Sequence, residues 1–143
     1  MPETLPVEGH SMPCNGGATG GVRRWLRLEG LVVLAAAVLI YGRTGGSWLL
    51  FGILFLAPDL GFAGYAFGPR IGARVYNVLH SYIVPIALGC GMWLAGRSIA
   101  IPLIWMAHIG FDRLLGYGLK YPTGFGDTHL GKLGRRDEGT GIR

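Results

Sequence analysis

Charged side chains are scarce in this sequence of 143 residues, and their scarcity argues against an ordinary soluble domain. They make up 15% of the chain, whereas about a quarter is usual in soluble proteins. The apolar residues come in long blocks and not in alternating patterns. Blocks of this kind are typical of membrane-spanning helices. The length allows one domain.

Cysteine is also scarce. Cys14 lies in a segment rich in glycine and proline, and Cys90 lies in the middle of an apolar block. We therefore expect no disulfide and infer no redox compartment. Acidic residues are few, and the net charge is +5. Because the basic residues cluster at the ends of the apolar blocks, they indicate membrane topology and anionic lipid headgroups, and we predict no nucleic-acid partner.

The apolar blocks predict an all-α fold, a four-helix transmembrane bundle with a short or broken second helix. Pro58 and Asp59 end the second block after about ten residues, which span only roughly 15 Å, half a hydrocarbon core. The glycine-rich stretch 60–69 is then expected to span, to re-enter or to lie at the interface. The membrane domain is predicted at 25–131, with helices at about 25–41, 48–60, 75–95 and 98–115, a disordered tail at 1–24 and a basic tail at 132–143.

The basic residues also predict the orientation. Four helices place the N-terminus, the middle loop and the C-terminus on one side of the membrane. That side carries most of the basic residues, whereas the other side carries Arg43 and Arg97. Both termini are therefore predicted to be cytoplasmic. The expected partner is the lipid bilayer, and assembly as a homo-oligomer is left open.

Ionisable residues within the apolar blocks predict a polar site. His108 and Asp112 are four residues apart on the last predicted helix and so share one face. The topology places Asp59, His80 and Glu29 in the same cytoplasmic half, within roughly 15 Å of that surface. Because ionisable residues are costly inside a bilayer, those that occur there are generally paired or functional.

Two histidines and two carboxylates form a reasonable ligand set for a divalent metal such as Zn, Mn or Fe. We predict Asp59, His80, His108 and Asp112 as metal ligands, and Glu29 as a catalytic base or a fifth ligand. A basic, aromatic rim after the last helix is predicted to bind the anionic headgroup of a substrate. The rim consists of Arg113, Lys120, Tyr121 and His129.

Each of these residues also has a structural interpretation. Glu29 can form an interfacial ion pair with Arg27, and Asp59 can simply cap or break a helix. His80 can make a hydrogen bond between helices, and Asp112 can pair with an arginine. Together these alternatives describe a metal-free polar network in a non-catalytic bundle that binds ions or protons or acts as a scaffold.

Seven different short motifs are distributed over nearly all of the predicted membrane domain, at about residues 26–131. They are Leu-Glu-Gly at 28–30, Ala-Pro-Asp-Leu at 57–60, Gly-Pro-Arg at 68–70, Tyr-Asn-Val-Leu-His-Ser-Tyr at 76–82, Ala-His-Ile-Gly-Phe-Asp-Arg at 107–113, Gly-Tyr-Gly-Leu-Lys-Tyr-Pro at 116–122 and Thr-His-Leu-Gly at 128–131. Together they resemble the small bacterial membrane proteins of domain-of-unknown-function family 4260. The resemblance implies a membrane location and brings no established activity. We predict the bacterial inner membrane as that location.

Some of the same positions are similar to membrane-bound metal-dependent hydrolases. Those proteins carry a Pro-Asp-x-Asp motif after a membrane helix, then a His-Ser pair, then a histidine with an aspartate one turn later. Asp59, His80, His108 and Asp112 follow that order here, although Gly61 replaces the second aspartate of the first motif. The similarity implies either a metal-dependent hydrolase with one metal ion or a degenerate protein without enzymatic activity. As an enzyme, the protein is predicted to act on a lipid-like ester or phosphoester at the cytoplasmic leaflet.

Overall fold

The computed structural model describes residues 17–18, 20–123 and 126–132. The disordered tail is predicted at 1–24, but its residues 20–24 belong to the first helix. Apart from residues 17–18, the remainder of that tail lies outside the described residues, and so do residues 133–143 of the predicted basic tail. The elements in chain order are α1 (Gly20–Arg43), α2 (Trp48–Phe55), a 3-10 helix (Ala57–Phe67), α3 (Pro69–Leu79), α4 (Ile83–Leu94), α5 (Ala100–Leu115), β1 (Asp127–Thr128) and β2 (Gly131–Lys132).

Three helical stretches are long and apolar enough to cross a bilayer, and they are Gly20–Arg43, Trp48–Phe67 and Pro69–Leu94. Many of their large apolar side chains are exposed, among them Leu49 and Ile83. An exposed apolar surface of this extent is typical of helices that face lipid. The predicted all-α transmembrane architecture is confirmed, and the protein is a membrane protein.

The second helix is broken, as predicted. α2 ends at Phe55, and the chain continues as a 3-10 helix of 11 residues with Pro58 in its first turn. Proline has no N–H, and its ring clashes with the carbonyl group four residues earlier, so a regular α-helix does not continue through this position. The glycine-rich stretch 60–69, whose placement the sequence leaves open, belongs to this 3-10 helix as far as Phe67. The 3-10 helix packs against α3.

The third predicted helix is divided into α3 and α4 by a break at residues 80–82. Two carbonyl groups at this break accept hydrogen bonds from side chains of α5. Trp105 Nε1 donates to the Leu79 carbonyl oxygen at 2.7 Å, and Arg113 Nη2 donates to the His80 carbonyl oxygen at 2.9 Å. Protein groups therefore satisfy the opened backbone, as the bilayer interior requires.

α5 contacts α1, α2 and α4 and carries many of the buried residues. It meets α1 at two glycines, where a Cβ atom on Gly110 would lie 2.8 Å from the Gly30 carbonyl oxygen and from the Leu34 nitrogen. Small residues permit this close approach of two helix backbones. Arg27 Nε donates to the Leu114 carbonyl oxygen at 2.7 Å, so the start of α1 lies beside the end of α5.

Candidate metal centre

Four ionisable side chains from three parts of the fold meet beside the break in the second helix. Asp59 comes from the first turn of the 3-10 helix and His80 from the C-cap of α3, whereas His108 and Asp112 lie one turn apart on α5. One nitrogen or oxygen atom of each lies within 4.8 Å of the others. The structure thus brings together the four residues that the sequence predicts as metal ligands.

The distances between these atoms suit a single ion. His80 Nε2 lies 3.5 Å from both Asp59 Oδ1 and Asp112 Oδ2. His108 Nε2 lies 3.6 Å and 3.9 Å from the same two oxygens, and the two Nε2 atoms are 3.1 Å apart. Ligands bound tetrahedrally at about 2.0 Å from zinc are about 3.3 Å from one another. The five distances run from 3.1 to 3.9 Å, and four of them are longer than that value.

A backbone contact sets the tautomer of His80. Its Nδ1 atom lies 3.0 Å from the carbonyl oxygen of Tyr76. Because a carbonyl oxygen only accepts, Nδ1 carries the proton in the neutral ring. Nε2 then carries the free lone pair of the ring, on the side of the other three potential metal-ligand atoms. Histidines that bind metals are generally held in this way, through a hydrogen bond from the second ring nitrogen.

Tyr76 contacts two of the four residues. Its hydroxyl donates to Asp112 Oδ2 at 3.1 Å, and its ring stacks on the His80 ring with centroids 3.7 Å apart and planes at 11°. The side chain is fully buried. Tyr76 is not predicted from the sequence as part of the site. The one local feature that points to it is its position one helical turn before His80. Tyr76 therefore orients both an imidazole and a carboxylate.

Tyr76→Phe should weaken metal binding by about 10- to 100-fold, the usual effect of losing a group that orients a ligand. The phenyl ring keeps its stacking on His80, so the fold should be retained. Affinity is measured by competition with a chelating dye. Tyr82→Phe is the matched control, because the buried Tyr82 hydroxyl has no hydrogen-bond partner among the described residues. Equal losses in the two variants would contradict the role of Tyr76.

The centre is closed on most sides and open at one. His80, His108 and Asp112 are buried, whereas the Asp59 side chain is 36% exposed. The His108 and Phe55 rings make a T-shaped contact with centroids 5.3 Å apart. The buried Nδ1 of His108 has no hydrogen-bond partner within the described part of the chain. Water or a small polar group would reach the four donor atoms from the side of Asp59.

Lys120, from the predicted rim, is buried close to this centre. Its Nζ lies 4.9 Å from the Tyr76 ring centroid and 5.8 Å from that of Phe62. The Asn77 amide fixes the Lys120 backbone from both sides, donating to its carbonyl oxygen at 2.9 Å and accepting from its N–H at 2.7 Å. Burial lowers the pKa of Lys120, and the charge of Asp112 opposes that shift.

The other predicted rim residues have different surroundings. Arg113 is buried and donates to backbone carbonyl groups, including that of His80. His129 Nδ1 accepts from the Leu119 N–H at 2.7 Å, and burial, followed by the charge of Arg113, lowers the pKa of His129. Tyr121 is exposed. These contacts fix the loop after α5, and the role of the rim in substrate binding stays a prediction.

Glu29 lies outside the group of four. It is exposed on α1. The next residue, Gly30, packs against Gly110 and Arg113 of α5, so Glu29 lies at the level of the turn that carries Asp112. Its role as a base stays a prediction.

Comparison with known proteins identifies a family. Neither a search of curated proteins nor a search of solved structures found a match. The similarity to membrane-bound hydrolases is therefore not shown. The sequence profile of a family described as "Domain of unknown function (DUF4260)" matches residues 23–133, which are most of the chain. The resemblance seen in the sequence motifs is thus confirmed, and the chain belongs to domain-of-unknown-function family 4260.

Proposed function

We propose that this membrane protein binds one divalent transition metal ion and hydrolyses a lipid-like ester or phosphoester beside it. The observation that carries the proposal is the meeting, within 4.8 Å, of one donor atom each from Asp59, His80, His108 and Asp112. Two imidazoles and two carboxylates suit Zn, Mn or Fe.

The charge of the centre supports a bound cation over a metal-free network. The Nε2 atoms of His80 and His108 are 3.1 Å apart, and like charges this close strongly disfavour one another. With no more than one charged imidazole, two ionised carboxylates leave the four side chains themselves with a net negative charge, on which Lys120 and Arg113 act from outside the group. A divalent cation neutralises that charge while both imidazoles stay neutral.

The opening at Asp59 favours a catalytic metal over a structural one, because structural sites are closed and catalytic sites keep a position open. A metal ion held here would lower the pKa of a bound water, so that the water attacks at neutral pH. The water oxygen bonds to the carbonyl carbon or phosphorus of the substrate. The bond to the alcohol oxygen breaks, and that oxygen takes up a proton.

Glu29 is the proposed base that accepts the proton of the attacking water. Glu29→Gln should retain the metal and lose about 100-fold or more in kcat, the range for a general base. Metal content and kcat are measured on the same preparation. Asp127→Asn is the control, because that carboxylate accepts from Thr123 in the loop after α5. Wild-type kcat in the Glu29 variant would assign the base to another group.

The proposed setting is the cytoplasmic leaflet of the bacterial inner membrane. The start of α1 and the end of α5 lie side by side, because Arg27 donates to Leu114. Arg23 and Arg24 lie at that same end of α1. Basic residues near helix ends favour the cytoplasmic side and attract anionic lipid headgroups.

Elemental analysis and a hydrolysis assay of the purified protein test the proposal. We expect about one Zn, Mn or Fe ion per chain. A chelator should remove both the metal and the hydrolysis of p-nitrophenyl esters or phosphoesters, and metal added back should restore both. Metal without activity would contradict the hydrolase. Absence of metal after reconstitution would contradict the metal centre and favour the polar network.

A further inference from the structure

A cavity of about 200 Å³ lies beside the metal centre. Carbon-rich side chains line it, among them Leu54, Ala57 and Ile101. An apolar cavity of about 150 Å³ is enough for a molecule of the size of benzene. This cavity therefore has room for a segment of an alkyl chain.

The cavity and the metal centre share a wall. Pro58 and Leu79 line the cavity, and each of them immediately precedes a proposed metal ligand. Ile104, also in the lining, lies one helical turn before His108 on α5. The lining of the cavity and the metal centre are thus adjacent along the chain at two places. A substrate that occupied both places would keep its apolar part in the cavity and its polar part at the metal.

The lining residues of the cavity make almost exclusively apolar contacts with any molecule that binds there. Among the residues that line the cavity, Trp105 carries the one polar side-chain group, and its Nε1 donates to the Leu79 carbonyl oxygen. Recognition there would come from burial of apolar surface, which depends on the length of the buried chain. Alkyl chains are also the molecules that surround the helices in a bilayer, so they reach the cavity without entering water.

We infer that the cavity receives an alkyl chain of the substrate, which makes esters or phosphoesters with long alkyl chains the substrate class of this protein. The inference rests on the proposed function for the identity of the reacting bond. It adds a second subsite that distinguishes substrates by chain length. The subsite is built from the ends of α2 and α3, the start of the 3-10 helix and the first half of α5.

The fluorescence of Trp105 reports on the occupant. The other tryptophans are exposed and are removed by Trp25→Phe, Trp48→Phe and Trp93→Phe. Titration in detergent with 11-bromoundecanoic acid, whose bromine quenches indole on contact, should give saturable quenching. Ala57→Phe fills the cavity and should make the quenching linear and weak, with Ile101→Phe as a second filling variant if the first does not fold. Ala66→Phe, exposed on the same 3-10 helix, should still saturate.

Hydrolysis gives an independent readout of chain length. The ratio of kcat/KM for p-nitrophenyl octanoate to that for p-nitrophenyl acetate should be at least about tenfold in the wild type, since even one methylene in an apolar pocket can change the ratio that much. In Ala57→Phe the ratio should fall towards one, whereas Ala66→Phe, which lies outside the lining, should keep the wild-type ratio. The proteins are compared in the same detergent, so partition of the ester into micelles cancels.

The two readouts separate the cavity from the reaction. Saturable quenching without hydrolysis of any ester would support alkyl-chain binding and overturn the proposed reaction. Hydrolysis without chain-length preference, together with linear quenching that is the same in Ala57→Phe, would overturn the inference and keep the proposed reaction.

Discussion

His108→Ala should lower the affinity for the metal by more than about 100-fold, beyond the range that loss of an orienting group produces. The reason is that His108 Nε2 lies within 3.9 Å of one donor atom of each of the other three residues, and alanine leaves no atom in its place. Metal content after gel filtration and dye competition measure the loss. Retention of metal at the wild-type stoichiometry would exclude His108 as a ligand.

His129→Ala is the matched control for this variant. His129 bonds to the backbone of the loop after α5, and its donor atoms are not among the four that meet in the centre. The control should keep its metal, even if the loop loses some stability. Equal metal loss from the two histidine variants would indicate general damage to the fold and not the removal of a ligand.

Asp59→Asn distinguishes the metal centre from a polar network. Asparagine keeps the shape of the side chain and removes its charge. If Asp59 is a ligand, the variant should stay folded and lose metal. If instead the wild type contains no metal and the Asp59→Asn variant unfolds, Asp59 is a structural partner of the histidines and not a metal ligand.

Gly110→Ala should destabilise the bundle by about 1–3 kcal/mol or more, the cost of adding a methyl group to a filled contact. The new Cβ would lie 2.8 Å from two backbone atoms of α1, the Gly30 carbonyl oxygen and the Leu34 nitrogen. Backbone atoms do not rotate away as a flexible side chain does, so α1 and α5 have to separate. Because α5 also carries His108 and Asp112, metal affinity should fall with stability.

Gly52→Ala and Gly91→Ala are the controls. Both glycines lie in helices, and a Cβ atom at either position would have no neighbour within 4 Å. Each change should be neutral or stabilise by up to about 1 kcal/mol, because alanine favours a helix more than glycine does. Thermal unfolding in one detergent compares the three variants. The same stability in all three would show that α1 and α5 do not pack through Gly110.

Much of the candidate centre is predictable because the membrane restricts where ionisable residues lie. Each helix in a known orientation fixes the depth of its residues at about 1.5 Å per residue. Depth therefore places Asp59, His80, His108 and Asp112 at one level before any contact is known. The break at Pro58 is predictable for a local reason, since proline ends the hydrogen-bond ladder of a helix.

Other parts of the structure leave weak or no local signals. The break between α3 and α4 has one signal, Pro85, which cannot donate to the Ser81 carbonyl group and fits the first turn of a new helix. The contacts of Asn77 with the Lys120 backbone join residues 43 positions apart, and no periodicity reports such a pair. From the sequence alone, Arg113 is predicted to be a cation at the level of the lipid headgroups. The sequence does not indicate the carbonyl oxygens of Tyr117 and His80, to which its side chain donates.

The order of the ligands along the chain sets the order in which the protein can mature. Asp59 and His80 are synthesised well before α5, which brings the other half of the donor set. α5 also brings Trp105 and Arg113, whose side chains cover the open backbone at residues 79–80. A chain halted before α5 would thus leave bare carbonyl groups inside the lipid, which is energetically costly. A metal ion that requires all four proposed ligands could therefore be bound only after α5 is in place.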